Sequence, residues 1–175
     1  MTGLAIHTPA GQDTLVHEDR ARELFEQRAK LQLKLTPREG RAAAARLDAI
    51  GIHGSEIRVV VETKARPTFG QGRPATLQTF VEQFKSRWLI SYDKLEAGLE
   101  ATRSFGVPFA GLLYFPLDDV LLVQRLWNAD GTQAAIWMVK RSTTQATVNG
   151  GTANRENAYV YMSEAPKVLA RRTAA

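Results

Sequence analysis

The spacing of apolar positions along the first third of the chain changes twice. Across "TLVHEDRARELFEQRAKL", Val16 or His17, Ala21, Leu24, Phe25, Arg28 and Leu31 recur near helical spacing. Thr14 stands where an N-cap belongs, so the pattern predicts a helix over about 14–32. "KLQLKL", Lys30 to Leu35, then alternates polar and apolar residues and reads either as a short strand or as the end of that helix. "TPREGRAAAARLDAIG" carries two competing signals. Thr36, Pro37 and Glu39 form a capping box with Pro at the first helical position, and the alanines extend a helix toward Gly51, which would put Asp48 on that helix. Gly40 weakens such a helix, and "LDAIGI" is bounded by turn residues. The second reading is therefore a strand from Leu47 to Ile52, turning at "HGS" into another from Ile57 to Ala65.

On the hairpin reading, with a loop of about three residues, Asp48 and Glu62 are equidistant from Ser55 and lie opposite one another on one face. Lys64, two residues beyond Glu62, points the same way because strand side chains repeat with period two. Three charged groups then converge on a strand whose valine run reads as buried. Glu and Lys are rarely buried unless they are paired or coordinate something, so this conflict marks a candidate site.

Farther along, "ARPTFGQGRPATLQ" is a Gly/Pro-rich loop carrying Arg66 and Arg73. "TLQTFVEQFKSRW" and "YDKLEAGLEATRSFG" read as helices, the second capped by Ser91 and stopped at Gly106. "LLYF", "VLLVQRLW" and "AAIWMVKR" read as strands, with "NADG" as a hairpin turn between the last two and "NGGTANREN" as a longer turn before "AYVYM". A helix, strands, helices and again strands predict an α/β (mixed α+β) fold with a central mixed β-sheet flanked by helices.

Composition narrows the chemistry. The 175 residues, 44% hydrophobic and 23% charged, fit a single domain, with 1–13 and 172–175 expected to be loose. No window is apolar enough to span a bilayer, and the start "MTGLAIHTPA" has neither a basic nor an apolar leader region, so the expectation is a cytoplasmic protein with no membrane partner. The absence of Cys excludes disulfide scaffolds, thiol nucleophiles and zinc fingers. A net charge of +5 and a sequence pI near 9.7 favour a polyanionic partner such as DNA. Other motifs carry less. His7, His17 and His53 are too scattered for a metal cluster, and "GQG" lacks the Lys-Ser/Thr of a phosphate-binding loop. Ser86 and Ser91 have no nucleophile elbow around them. Trp88, Trp127 and Trp137 suit core or hairpin packing better than base stacking.

Asp48 with Glu62-Thr63-Lys64 spells D-X(n)-E-X-K on neighbouring strands, and this resembles the core of the PD-(D/E)XK nuclease superfamily. The resemblance covers about Leu15 to Leu126, and "WLISYDKLEAGLEATRSFGVPFAGLLYF" is similar to the segment that follows E-X-K in some phage-type members. Leu47 precedes Asp48, so the Pro-Asp dipeptide of the family name is missing. The resemblance implies a restriction-endonuclease-like fold and a metal-dependent deoxyribonuclease, with Asp48 and Glu62 as metal ligands and Lys64 as the catalytic lysine. It also implies a third acid from the first helix, for which Glu18 lies closer to the apolar face than Glu23 or Glu26. The chemistry can be argued without the family. Two carboxylates on adjacent strands offer oxygen ligands to a hard cation, Mg²⁺ with Mn²⁺ as a substitute, and a nearby lysine offsets charge developing on a phosphorus. Arg66, Arg73, Lys85 and Lys94 are candidate DNA phosphate contacts, Lys94 from the first turn of a helix. A single domain of this size would need a homodimer to cut two strands. Three readings stand: a nuclease of unresolved exo-, endo- or junction type, a non-catalytic DNA- or protein-binding module on the same fold, and an accidental motif with Asp48 on a helix.

Overall fold

A computed structural model of the chain describes residues 9–35, 47–69, 72–143 and 154–169. The first helix, α1 (Pro9–Ala29), begins at a proline, a residue pre-set for the first helical position. The helix therefore starts five residues before Thr14 and includes residues 9–13, which the sequence reading left loose. Strand β1 (Gln32–Leu35) follows, so "KLQLKL" contributes a strand, paired antiparallel with β2 (Ala49–His53). The capping-box segment Thr36–Glu39 lies outside the described residues.

β2 pairs antiparallel with β3 (Glu56–Ala65), as the hairpin reading requires. The turn is one residue tighter than expected, holding only Gly54 and Ser55, and Gly54 sits at φ +62, where a side chain is disfavoured. A register shift between Gly51 and Ile52 restores the lost residue, so Ala49 faces Val61 and Ile50 faces Val60. The ribbon β4 (Thr68–Phe69) and β5 (Arg73–Pro74), helix α2 (Leu77–Phe84), strand β6 (Arg87–Ser91) and helix α3 (Tyr92–Phe105) then lead into β7 (Phe109–Phe115), which lies parallel to β3. Strands β8 (Val120–Trp127), β9 (Trp137–Thr143), β10 (Asn154–Tyr161) and β11 (Lys167–Leu169) complete the described residues. The main sheet is mixed, in the order β1-β2-β3-β7-β8-β11, and β6-β10-β9 form a separate antiparallel sheet.

Three expectations need correction. The helix read through "KSRW" ends at Phe84, because Lys85 and Ser86 both take left-handed backbone conformations, and Arg87–Ser91 is a strand. Asn128 to Gly131 does turn, closed by the Gly131 N–H donating to Asn128 O at 2.9 Å, but it does not join a hairpin. β8 pairs with β7 and β11, whereas β9 crosses to the second sheet and pairs with β10. Ser91 caps α3 through its extended backbone rather than through a side-chain hydrogen bond, while Gly106, at φ 65, ends the helix as expected.

The main sheet separates two apolar layers by strand parity. Val59, Val61, Ala110, Leu112 and Tyr114 meet Ala21, Leu24 and Phe25 of α1. Val60, Phe109, Leu113 and Phe115 meet Leu95 of α3 and Trp88 and Ile90 of β6. A bidentate pair from Arg20 to Asp119, at 3.1 and 3.3 Å, and a Tyr114 hydroxyl donating to Asp119 at 2.6 Å fasten α1 to the β7–β8 turn. On the other side α3 approaches so closely that a Cβ at Gly98 would lie 2.2 Å from the ring of buried Phe109. Gly98→Ala is expected to destabilise the protein by about 2 kcal/mol, because overpacking outweighs the ~1 kcal/mol gain in helix propensity. Chemical denaturation with an unchanged m-value and a lowered midpoint is the corresponding measurement.

Candidate functional site

The even-numbered side chains of β3 face the α3 layer, which carries Glu62 and Lys64 to the same side as Val60. Asp48 immediately precedes β2 and bonds across to β3 at both ends of its residue. Its N–H donates to Val61 O at 3.3 Å, and its Oδ2 accepts from the Thr63 N–H at 2.7 Å. These two bonds fix the carboxylate opposite Glu62, the pairing expected from the hairpin. Glu62 is 9% exposed and Asp48 is half-buried. In the parallel register Glu62 stands beside Gly111, and the Trp88 indole lies directly on that glycine, where a Cβ would meet it at 2.2 Å. Missing side-chain bulk at Gly111 lets an apolar ring approach the strand next to the carboxylate.

Among the described residues, the cation within ion-pair distance of both acids is Lys94, from the first turn of α3. Its Nζ lies 2.9 Å from Glu62 Oε2 and 3.8 Å from Asp48 Oδ1. Lys64 is half-buried and close enough to Glu62 to stabilise its charge, but among the described residues it forms no ion pair. The two lysines do not fully offset the site. Burial and the neighbouring Asp48 charge push the Glu62 carboxyl up to about 8, against the opposing pull of Lys94 and Lys64. Two facing carboxyl groups, one buried and one half-buried, are oxygen donors of the kind a hard dication takes, binding through one or two carboxylates plus water and phosphate oxygens.

Glu18 does not join them. It is buried, but it belongs to the helix that covers the opposite face of the sheet, and among the described residues no group of three or more His, Asp or Glu is arranged to hold a metal ion. Helical phase identified Glu18 as facing the sheet but could not say which face α1 covers.

Among the candidate phosphate contacts, Arg66 follows β3 directly, its N–H bonded to Tyr114 O at 2.8 Å. It continues the strand parity of Glu62 and Lys64 and is half-buried, and burial lowers its pKa. Arg73 is exposed on the β4–β5 ribbon, its guanidinium 3.4 Å from Gln83 Oε1, and Lys85 is exposed at the end of α2. Lys94, the fourth candidate phosphate contact, lies against the two acids. A groove of about 460 Å³ lies along α3 between Tyr92, Glu96, Arg103 and Trp127 and includes none of Asp48, Glu62, Lys64 or Lys94.

No helix among the described residues is long and apolar enough to cross a membrane. Comparison of the chain with protein-family models, curated proteins and solved structures gave no match.

Proposed function

We propose that this protein is a divalent-metal-dependent deoxyribonuclease. The observation that carries the reading is the Asp48–Glu62 pair, one residue just before β2 and the other on β3, facing each other around a cation, with Lys64 two residues farther along the same face. The path of the chain adds support. A helix precedes three antiparallel strands, and the strand bearing E-X-K is followed, through α3, by a parallel neighbour, an arrangement compatible with the restriction-endonuclease-like core. Asp48 and Glu62 are the proposed ligands of Mg²⁺ or Mn²⁺. Such an ion would supply polarisation of the scissile phosphate and a more acidic water. Lys64 then offsets negative charge on the phosphate as the bond to the leaving oxygen breaks, and Arg66 binds a flanking phosphate.

One observation favours a second reading, a non-catalytic DNA- or protein-binding module. Lys94 already pairs with both acids, as a structural ion pair would. Incubating the purified protein with supercoiled, linear, single-stranded and branched DNA, with and without Mg²⁺ or Mn²⁺, separates the two. Metal-dependent breakdown of at least one substrate is expected, and its absence from all four puts the module first. DNA binding is expected to weaken steeply with salt. Arg66→Ala should reduce the slope of log K against log salt by about one phosphate contact's worth. An affinity that does not change between low and moderate salt would remove DNA as the partner. A homodimer acting in the cytoplasm completes the proposal.

A further inference from the structure

Lys94 has been placed in the site by geometry alone, and its position is costly. It is the third residue of α3, after Tyr92 and Asp93, and a cation in the first turn of a helix opposes the positive end of the helix dipole. The ammonium is nevertheless held inward, with its side chain 24% exposed, against two carboxylates from a different part of the chain. Its Nζ is held against the oxygens of Asp48 and Glu62. Its position between their oxygens is also where a metal ion bound by both acids would sit.

Resting on the metal-dependent reading above, we propose that Lys94 is a resident counter-cation that closes the Asp48–Glu62 pair until a divalent ion displaces it. An ammonium and a dication cannot both lie within bonding distance of the same oxygens without strong repulsion. Binding of the ion therefore expels Lys94, whose charge is then opposed by both the ion and the helix dipole. A DNA phosphate relieves that repulsion. Metal and DNA accordingly bind with positive coupling, each tightening the other by the same factor, and the site is poorly loaded until substrate arrives. Lys94 is a positioning residue in this scheme, acting on the ligand set rather than on the reacting atoms.

The test is calorimetric titration of Mg²⁺ into the wild-type protein, Lys94→Gln, Lys94→Arg and Glu62→Gln, at moderate and at high salt. Lys94→Gln is expected to bind Mg²⁺ roughly ten-fold more tightly than wild type. Lys94→Arg, which keeps the charge, should stay near wild type, and Glu62→Gln should lose the binding heat. The gain in Lys94→Gln should persist at high salt, because a displaced contact ion is not screened as a distant charge is. Circular dichroism verifies the fold of each variant, and Lys94→Met, which keeps most of the stem, replaces Lys94→Gln if the latter does not fold. Unchanged or weaker Mg²⁺ binding in a folded Lys94 variant, with Glu62→Gln still deficient, overturns the displacement and leaves the nuclease reading standing. Equal binding by wild type and Glu62→Gln, or no binding by any of the proteins, overturns both.

Discussion

Glu62→Gln is expected to abolish metal-dependent DNA cleavage while making the metal-free protein more stable in alkaline solution. The two effects share one cause. Glu62 sits under the α3 layer with its carboxyl pushed from about 4.5 up to about 8, chiefly by burial and then by the Asp48 charge. An acid whose folded pKa lies above its unfolded value contributes stability that is fully present below the unfolded value. That contribution is lost as pH rises through the folded one. Wild type without metal should therefore lose stability between about pH 5 and pH 8, amounting to roughly 3–5 kcal/mol once Glu62 is fully ionised. The neutral amide that replaces the carboxyl does not titrate, so the variant should hold its melting temperature across that interval. Added Mg²⁺ should raise the melting temperature of wild type above pH 8 and leave Glu62→Gln unmoved. The loss of cleavage should exceed about 100-fold, since even the outer partners of metal ligands cost 10- to 100-fold in affinity or activity when removed. Parallel melts from pH 5 to 9 and a plasmid-cleavage assay measure both halves. A variant that melts like wild type at every pH would mean that Glu62 bears no buried charge to neutralise.

Much of this site was legible because strand parity is a local property. Asp48 and Glu62 fall opposite one another even though the turn holds one residue fewer than expected, because the irregularity after Gly51 returns the ladder to the same register. The competing helix lost Asp48 for a tertiary reason: Ala49–His53 is sandwiched between β1 and β3, whose backbone groups it satisfies. Lys94's role was not legible. Reaching the acids from α3 requires the chain to leave β3, pass through β6 and return over the sheet, and β6 itself was hidden inside an apparent helix. In "RWLIS" only Trp88 and Ile90 turn inward, too short a series to reveal its period, and the left-handed Lys85 and Ser86 carry no glycine to mark the break. The second sheet escaped for a similar reason. Asn128 to Gly131 is a sound turn signal, but a turn does not say whether the strands on either side pair with each other. Here the only bridge across it joins Trp127 to Gln133 among the described residues, before the chain departs.

Lys64→Ala is expected to lower metal-dependent cleavage by about three orders of magnitude, in line with the loss of one charge-stabilising donor, without weakening metal binding. Lys64 stands on the face of Glu62 without an ion pair to it, so its removal takes no ligand from the acids and removes a cation that repels a second positive charge there. Mg²⁺ affinity should remain at the wild-type level or rise. This contrasts with Glu62→Ala, where a ligand is gone and high Mg²⁺ should restore part of the activity by mass action. Excess metal has nothing to restore in Lys64→Ala, because the missing charge belongs beside the phosphate and not beneath the ion. It differs also from Lys94→Gln, which should gain metal affinity by roughly ten-fold through loss of a competing contact. Cleavage of plasmid DNA across a Mg²⁺ series, alongside calorimetry on the same preparations, distinguishes the three lesions by their pattern. Cleavage by Lys64→Ala at the wild-type rate would mean that the lysine two residues after Glu62 takes no part in chemistry. The alternation that placed it on that face would then reflect strand geometry alone, and the binding-module reading would take first place.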